Sequence, residues 1–305
     1  MNGIILVDKG EGMTSFSACA SAGRILGEKK RGHAGTLDPN ATGLLVVCLG
    51  SATRLIEYFP EDNKEYIASV RFGITTDTQD IWGNITGRAE ADFSLEDFKR
   101  ALEELTGTYN QLTPAYSARK KAGRPLYEYA RKGIALELPE KEITISSIEI
   151  LSHDLPQRAL IKVNCSKGAY IRALCDDIGR RLKCGGTMES LRRLSCCGFS
   201  LGEAHTLEEI DEINKRKDAE KLILPPDRAL THIPAVHAPA EQLSGILNGM
   251  SLKEGSYSCP KALGEGEIVR IYSEEIFAAM GSYSMGAIKP KKVIYKPNEN
   301  NNRPE

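Results

Sequence analysis

Residues 3–7 form an unbroken apolar, β-leaning run and predict a first strand. The spacing then changes. Phe16, Cys19, Ala20, Gly23 and Leu26 follow the helical period, with Thr14 or Ser15 as the cap and Gly27 as the stop. Residues 29–39 are too polar and glycine-rich to predict an element. The continuous apolar run 44–49 predicts a buried strand. Residues 53–59 predict a short helix ended by Pro60. Tyr66, Ala68, Val70 and Phe72 alternate with Ile67, Ser69 and Arg71, the period of a strand.

Residues 75–83 read as a loop. Ser94 to Asp97 resembles a capping box in which Asp replaces the usual Glu or Gln. Leu95, Phe98, Leu102 and Leu105 then mark a helical stripe, ended by Gly107. Further helices are predicted over 126–131 and 170–182. Strands are predicted over 143–151, 159–165 and 187–195, the first two paired. Helices and strands interleave, yet hairpin-like pairs are common. The fold class expected is therefore α+β, with a mixed, largely antiparallel sheet flanked by helices. Residues 203–220 carry dense mixed charge and predict an exposed helix, and Pro225-Pro226 reads as a boundary. Strand-like pieces at 266–272, 276–280 and 292–295 predict a small β-rich second domain. The expected division is 1–228, then 229–296, then a disordered polar tail over 297–305.

Composition narrows the class but not the activity. Hydrophobic residues make up 41% and charged residues 27% of 305, the balance of a soluble globular protein with a sizeable core. No apolar stretch is long enough to span a bilayer, and the N-terminus lacks the pattern of a signal peptide, so the expected location is the cytoplasm. Eight cysteines without a C-x-x-C pair read as reduced, buried thiols. The five histidines do not fall near paired cysteines, so no metal site is expected. A net charge of −1 does not advertise nucleic acid as a partner. Any such case rests on local basic clusters: 29–31, 119–124, 180–183, Arg192-Arg193 and 289–292.

The segment from Gly32 to Gly43, GHAGTLDPNATG, carries the most chemistry. Three glycines permit unusual backbone angles and close approach of a ligand. Pro39 pushes Asp38 into an extended conformation, so a carboxylate is presented from a stiff loop beside a buried strand. Taken alone, an Asp-Pro in a glycine-rich loop is most often a turn.

The whole string resembles the catalytic signature of the TruB family of tRNA pseudouridine synthases. Other blocks resemble the same family in the same order over roughly the first two-thirds of the chain. They are Asn2-Gly3, Asp8-Lys9 to Ser15, Lys64-Glu65-Tyr66, and Thr76-Asp77-Thr78-Gln79-Asp80 through Gly83. Pro114-Ala115-Tyr116-Ser117-Ala118, Tyr127 to Arg131, Ser166 to Arg172 and Leu191 to Leu194 complete the set. Gly10 and Thr113 stand where many members carry proline. The last third resembles a PUA-type RNA-binding domain mainly by position and β-rich character.

The resemblance implies isomerisation of a uridine in the T-loop of tRNA, at position 55, to pseudouridine. The N1–C1′ bond breaks, the uracil turns and C5 rejoins the sugar. Nothing is added or lost, so no cofactor is implied. Asp38 would start the reaction, by attack at C1′, by attack at C6 or by assisting an elimination; the resemblance leaves these open. Tyr66 would stack on the flipped base and carry a proton. Arg172 would pair with Asp38. Tyr170 and Leu191 would line the base pocket, and His33 would brace the space the base vacates. Lys64, Gly35 and Thr36 complete the implied substrate-binding set. The implied partner is the T-arm of tRNA, met by a monomer. Two rival classes are an RNA-binding module without chemistry and a two-carboxylate glycosidase, for which Asp77 or Asp80 would supply the second acid.

Overall fold

A computed structural model of the protein describes residues 1–60, 64–117, 119–121, 123–134 and 136–297. The expected disordered tail therefore lies, from residue 298, outside the described residues, as does Ala118 of the family-like blocks.

The apolar run at the N-terminus forms β1 (Gly3–Lys9). Helix α1 (Ser15–Ile25) follows, with the Thr14 hydroxyl accepting from the Ser17 amide as its N-cap. It buries Ala18, Cys19 and Ala22 against the sheet. Phe16 departs from the expected stripe: it is 76% exposed. Strand β2 (Arg31–Ala34) corrects the expectation of an element-free segment, and it pairs antiparallel with β3 (Thr42–Leu49). Its polar sequence gives no period-2 signal, and β3 supplies the ladder that makes it a strand. Residues Gly50–Tyr58 form a 3-10 helix, and β4 (Lys64–Phe72) alternates as predicted.

The segment read as a loop at 75–83 begins in a small hairpin, β5 (Ile74–Thr76) with β6 (Ile85–Arg88). Helix α2 (Leu95–Glu104) has a complete capping box, with Ser94 and Asp97 exchanging both bonds. Asp97 thus closes the box despite its shorter side chain. After α2 come β7 (Gly107–Leu112), the short pair β8 (Lys120–Lys121) and β9 (Arg124–Pro125), and α3 (Leu126–Arg131). Strands β10 (Glu140–Asp154) and β11 (Arg158–Cys165) form the expected antiparallel pair. Helix α4 (Ile171–Arg181) starts at Tyr170 and leads to β12 (Gly186–Cys196), which turns back as β13 (Phe199–Ser200). Helix α5 (Leu207–Lys215) supplies the charged exposed face.

Among the described residues the large sheet has nine strands, ordered β1-β3-β12-β4-β11-β10-β7, with β2 on β3 and β13 on β12. Only the β12–β3 contact is parallel, so the sheet is mixed and largely antiparallel. Strand β4 sits at its centre, buried by helix α4 and the Phe72–Phe93–Phe98 aromatic cluster.

Helix α4 seats on β12 through two glycines. A Cβ on Gly179 would lie 2.0 Å from the Gly186 nitrogen, so no larger residue fits there without moving backbone. This contact fixes the helix that carries Arg172 relative to the strand that carries Leu191.

The C-terminal part forms a second sheet. Its strands are β14 (Ala235–Ala238), β15 (Leu252–Lys253), β16 (Ile268–Ser273), β17 (Ile276–Ser284) and β18 (Ala287–Val293). Their order is β14-β16-β17-β18-β15. The last strand runs 287–293 rather than starting at 292. Residues Ala229, Leu230 and Ile233 join one cluster with Ile4, Leu6 and Leu44, and Met280 and Ile294 reach the same cluster. The apolar core is therefore continuous from one sheet to the other. Among the described residues no helix is long and apolar enough to cross a membrane.

Candidate active site

The loop between β2 and β3 carries Asp38. Three internal holds fix it. The Ser15 hydroxyl donates to the Leu37 carbonyl at 3.0 Å and accepts from the Leu37 amide at 2.8 Å. The Lys9 ammonium, fully buried, donates to the carbonyls of Pro39, Gly10 and Met13 at 2.8 to 2.9 Å. Burial brings this lysine down to about 8; Asp38 opposes the shift and Arg193 adds to it. The third hold is Arg193, fully buried, whose Nη2 donates to the Gly35 carbonyl at 2.7 Å and Nε to the Leu44 carbonyl at 2.8 Å. Gly35 is left-handed (φ +70), and a Cβ there would press on Arg193 Nη1 and Cys196 Sγ, both at 3.1 Å. Glycine is therefore needed for two reasons, the backbone angle and the approach of the arginine.

Asp38 itself stands in the wall of a cleft of about 660 Å³. Its side chain is 42% exposed, whereas Arg172 is 4% exposed. Arg172 Nε donates to Asp38 Oδ2 at 2.8 Å and Nη2 approaches Oδ1 at 3.4 Å. The remaining guanidinium donors bond the carbonyls of Thr78 at 2.8 Å and Tyr116 at 2.9 Å, and Asp80 Oδ2 lies 3.8 Å away. A planar cation fully held in this way fixes the carboxylate in orientation and keeps a charge partner beside it.

The other expected residues converge on the same cleft. His33, Thr36, Lys64, Tyr66, Tyr170 and Leu191 all line it. Gly35 does not; it supports the loop from behind through its carbonyl. Tyr66 is 6% exposed on β4, directly opposite Arg193 of β12. Burial pushes its phenol well above the usual range, and the Arg193 guanidinium beside it pulls the other way. Among the described residues Arg193 Nη1 nonetheless has no hydrogen-bond partner of good geometry, so the attraction to Tyr66 acts mainly as charge. Burial, with Arg193 adding to it, also lowers His33, so its imidazole stays neutral at neutral pH. Tyr170 is fixed by Gln111, whose amide oxygen accepts from the Tyr170 amide at 2.8 Å and whose amide nitrogen donates to the Tyr170 carbonyl at 3.1 Å.

Several basic clusters prove to be internally engaged. Arg193 is a core residue rather than a phosphate contact. Arg192 pairs with Asp8 at 2.6 Å, Arg180 with Asp176 at 2.6 Å and Arg181 with Glu104 at 3.0 Å. Lysine 292 pairs with Glu57. Lys9, Ser15 and Arg193 lie in family-like blocks and Gln111 in none, but no pattern in the sequence gave their holding roles, because each also acts on a backbone atom distant in the chain. Asp80 was visible as part of a family-like block and as a spare carboxylate, without a role beside Arg172. Its place beside Arg172, on the far side from Asp38, makes it part of the same charge cluster.

The chemistry available is that of one oriented carboxylate, a buried phenol and an apolar platform of Tyr170 and Leu191, open to an inserted planar ring. Among the described residues no cluster of three His, Cys, Asp or Glu is arranged to hold a metal ion.

Comparison with known proteins identifies the family. Residues 23–171 match the family model "TruB family pseudouridylate synthase (N terminal domain)", and residues 172–231 match "tRNA pseudouridylate synthase B C-terminal domain". The tRNA pseudouridine synthase B of Clostridium kluyveri is 42% identical over 274 residues, 90% of this chain and 92% of that protein. The enzyme of the same name from Pelotomaculum thermopropionicum is 38% identical over 303 residues, 97% and 96% of the two chains. Among solved structures, a chain in a Cbf5–Nop10–Gar1 complex superposes with a TM-score of 0.74 at 23% identity, covering 97% of this chain and 86% of its own; at that identity the likeness concerns the fold. With relatives this similar over nearly its whole length, the chain belongs to the TruB family of pseudouridine synthases.

Proposed function

We propose that this member of the family isomerises the T-loop uridine of tRNA, at position 55, with Asp38 as the catalytic carboxylate. One observation carries the assignment: a carboxylate held by the buried Arg172 faces a cleft whose walls also present Tyr66, Tyr170 and Leu191. Conversion of uridine to pseudouridine in tRNA follows from the family membership; the site within tRNA and the residue roles are the proposal.

The target base must leave its stack to reach Asp38, at a cost of a few kcal/mol. A 660 Å³ cleft has room for one nucleotide and part of its neighbours. Asp38, half in solvent before RNA arrives, loses water when the base enters, which strengthens its action on C1′ or C6. Breaking N1–C1′ and joining C5–C1′ leaves one proton to remove from C5 and one to return to N1. The buried Tyr66 phenol is placed to take part in that transfer. His33, neutral and at the cleft edge, is placed to fill the gap left by the base. Lys64 and Thr36 on the lining support the backbone of the extruded nucleotide. The C-terminal sheet serves as a second RNA contact, and the protein works as a single chain in the cytosol.

The test is incubation with an unmodified tRNA transcript, followed by mapping of pseudouridine. Product at the T-loop uridine supports the proposal. Product elsewhere moves the site, and release of free uracil would replace isomerisation by hydrolysis.

A further inference from the structure

Two large aromatic side chains at the cleft stand partly in solvent. Phe16, in the first turn of α1, is 76% exposed, and Trp82, in the turn after Asp80, is 44% exposed. Both line the cleft that holds Asp38. Aromatic rings of this size are normally buried, so two at the rim of one cleft are an exception that asks for a cover.

Their mounts are stiff. Phe16 follows Ser15, whose hydroxyl is bonded to both backbone groups of Leu37. The Trp82 amide donates to Asp80 Oδ1 at 3.2 Å, and the neighbouring Ile81 amide donates to the Met188 carbonyl at 3.0 Å. Gly83 allows the chain to fold tightly behind, because a Cβ there would strike Thr78 and Asp77. Both rings thus ride on the segments that position Asp38 and its Arg172 partner.

We propose that Phe16 and Trp82 form an aromatic subsite that stacks the bases adjoining the extruded uridine. The inference rests on the proposed function and adds the part of the substrate that the cleft floor does not reach. Pulling one base from a loop strips its neighbours of a stacking face. A flat π-surface on the protein replaces that face without reading the sequence. The rings cover the bases next to the target, while Tyr170 and Leu191 take the target itself. A nucleobase is the occupant because the rings continue the lining of a cleft whose substrate is RNA.

The chain has a single tryptophan, so Trp82 emission reports on its own surroundings. The experiment titrates an unmodified tRNA transcript into the full-length protein, reads that emission, and measures kcat and KM for Phe16→Ala, Trp82→Ala and Trp82→Phe. Stacking predicts saturable quenching. It also predicts a rise in KM of about 10-fold for each alanine variant, larger than any loss in kcat, with Trp82→Phe recovering most of it. Unchanged emission at saturating RNA, with KM at the wild-type value in both alanine variants, overturns the subsite even if wild-type protein makes pseudouridine. Quenching without any pseudouridine would instead keep the subsite and overturn the proposed function. Quenching by an unrelated protein and not by RNA would show a protein-docking patch and overturn the subsite.

Discussion

Arg172 reaches Asp38 across 134 residues of chain and meets its two oxygens at 2.8 and 3.4 Å. The same guanidinium bonds the carbonyls of Thr78 and Tyr116, so its position is set by three separate segments. Lysine keeps the charge but cannot reproduce the planar fork. Arg172→Lys is expected to lower kcat about 100-fold, the order of effect of misplacing a reacting group by an ångström, with a smaller change in KM. Steady-state kinetics on a tRNA transcript check this. A wild-type kcat would mean that charge alone suffices.

Lys9 should impose a basic limb on the rate. Above about 8 its amine loses a proton and keeps two N–H donors for three carbonyls, of which Pro39 adjoins Asp38. The rate is expected to fall as pH rises through about 8, and Lys9→Met, slower at every pH, should lack that limb. A limb arising from the RNA would persist in the variant. Stability runs the other way. The folded pKa lies below the ordinary 10.5, so between about 8 and 10.5 the unfolded chain binds more protons and this group's contribution rises with pH.

Removing Arg193 should cost stability as well as activity. Arg193→Met takes this donor from the buried Leu44 carbonyl and the part-buried Gly35 carbonyl. Each unsatisfied group costs about 1–3 kcal/mol, so a loss of about 2–6 kcal/mol is expected from denaturant unfolding. A change below about 0.5 kcal/mol, typical of a surface position, would contradict the buried role.

Gly179→Ala tests the seat of α4. Its Cβ meets backbone rather than a movable side chain, so strain of about 1–3 kcal/mol or more is expected, read as a lowered Tm. Because α4 carries Arg172, the displaced helix should also lose kcat. An unchanged Tm would show that the helix and β12 can part at little cost.

Much of the fold was legible because burial imposes a period. Strand β4, the β10–β11 pair and helices α1, α2 and α4 follow alternation or helical spacing directly. Strand β2 was not, because Arg31-Gly32-His33-Ala34 takes its conformation from the ladder with β3 and has no apolar face of its own. Phe16 fitted the helical stripe of α1 by period but turns toward the cleft. The site was legible in part. Asp38, Tyr66 and Arg172 were found through the family-like blocks, and the structure brings them to one cleft. The supports were not legible. Arg193 reads as a solvated cation in an alternating strand, yet it sits on the buried face of a strand flanked by β3 and β4, where no solvent reaches it. Lys9 looks like an ordinary end of a strand until the Asp38 loop folds over it.

The most direct measurement compares Asp38→Asn with the wild-type chain on one tRNA transcript, reading RNA affinity and pseudouridine at single turnover. Asparagine keeps the shape of the side chain and removes its charge. The expected result is a Kd near the wild-type value and no pseudouridine at any site. Product formation by Asp38→Asn at the wild-type rate would contradict the assignment of that carboxylate to the chemistry.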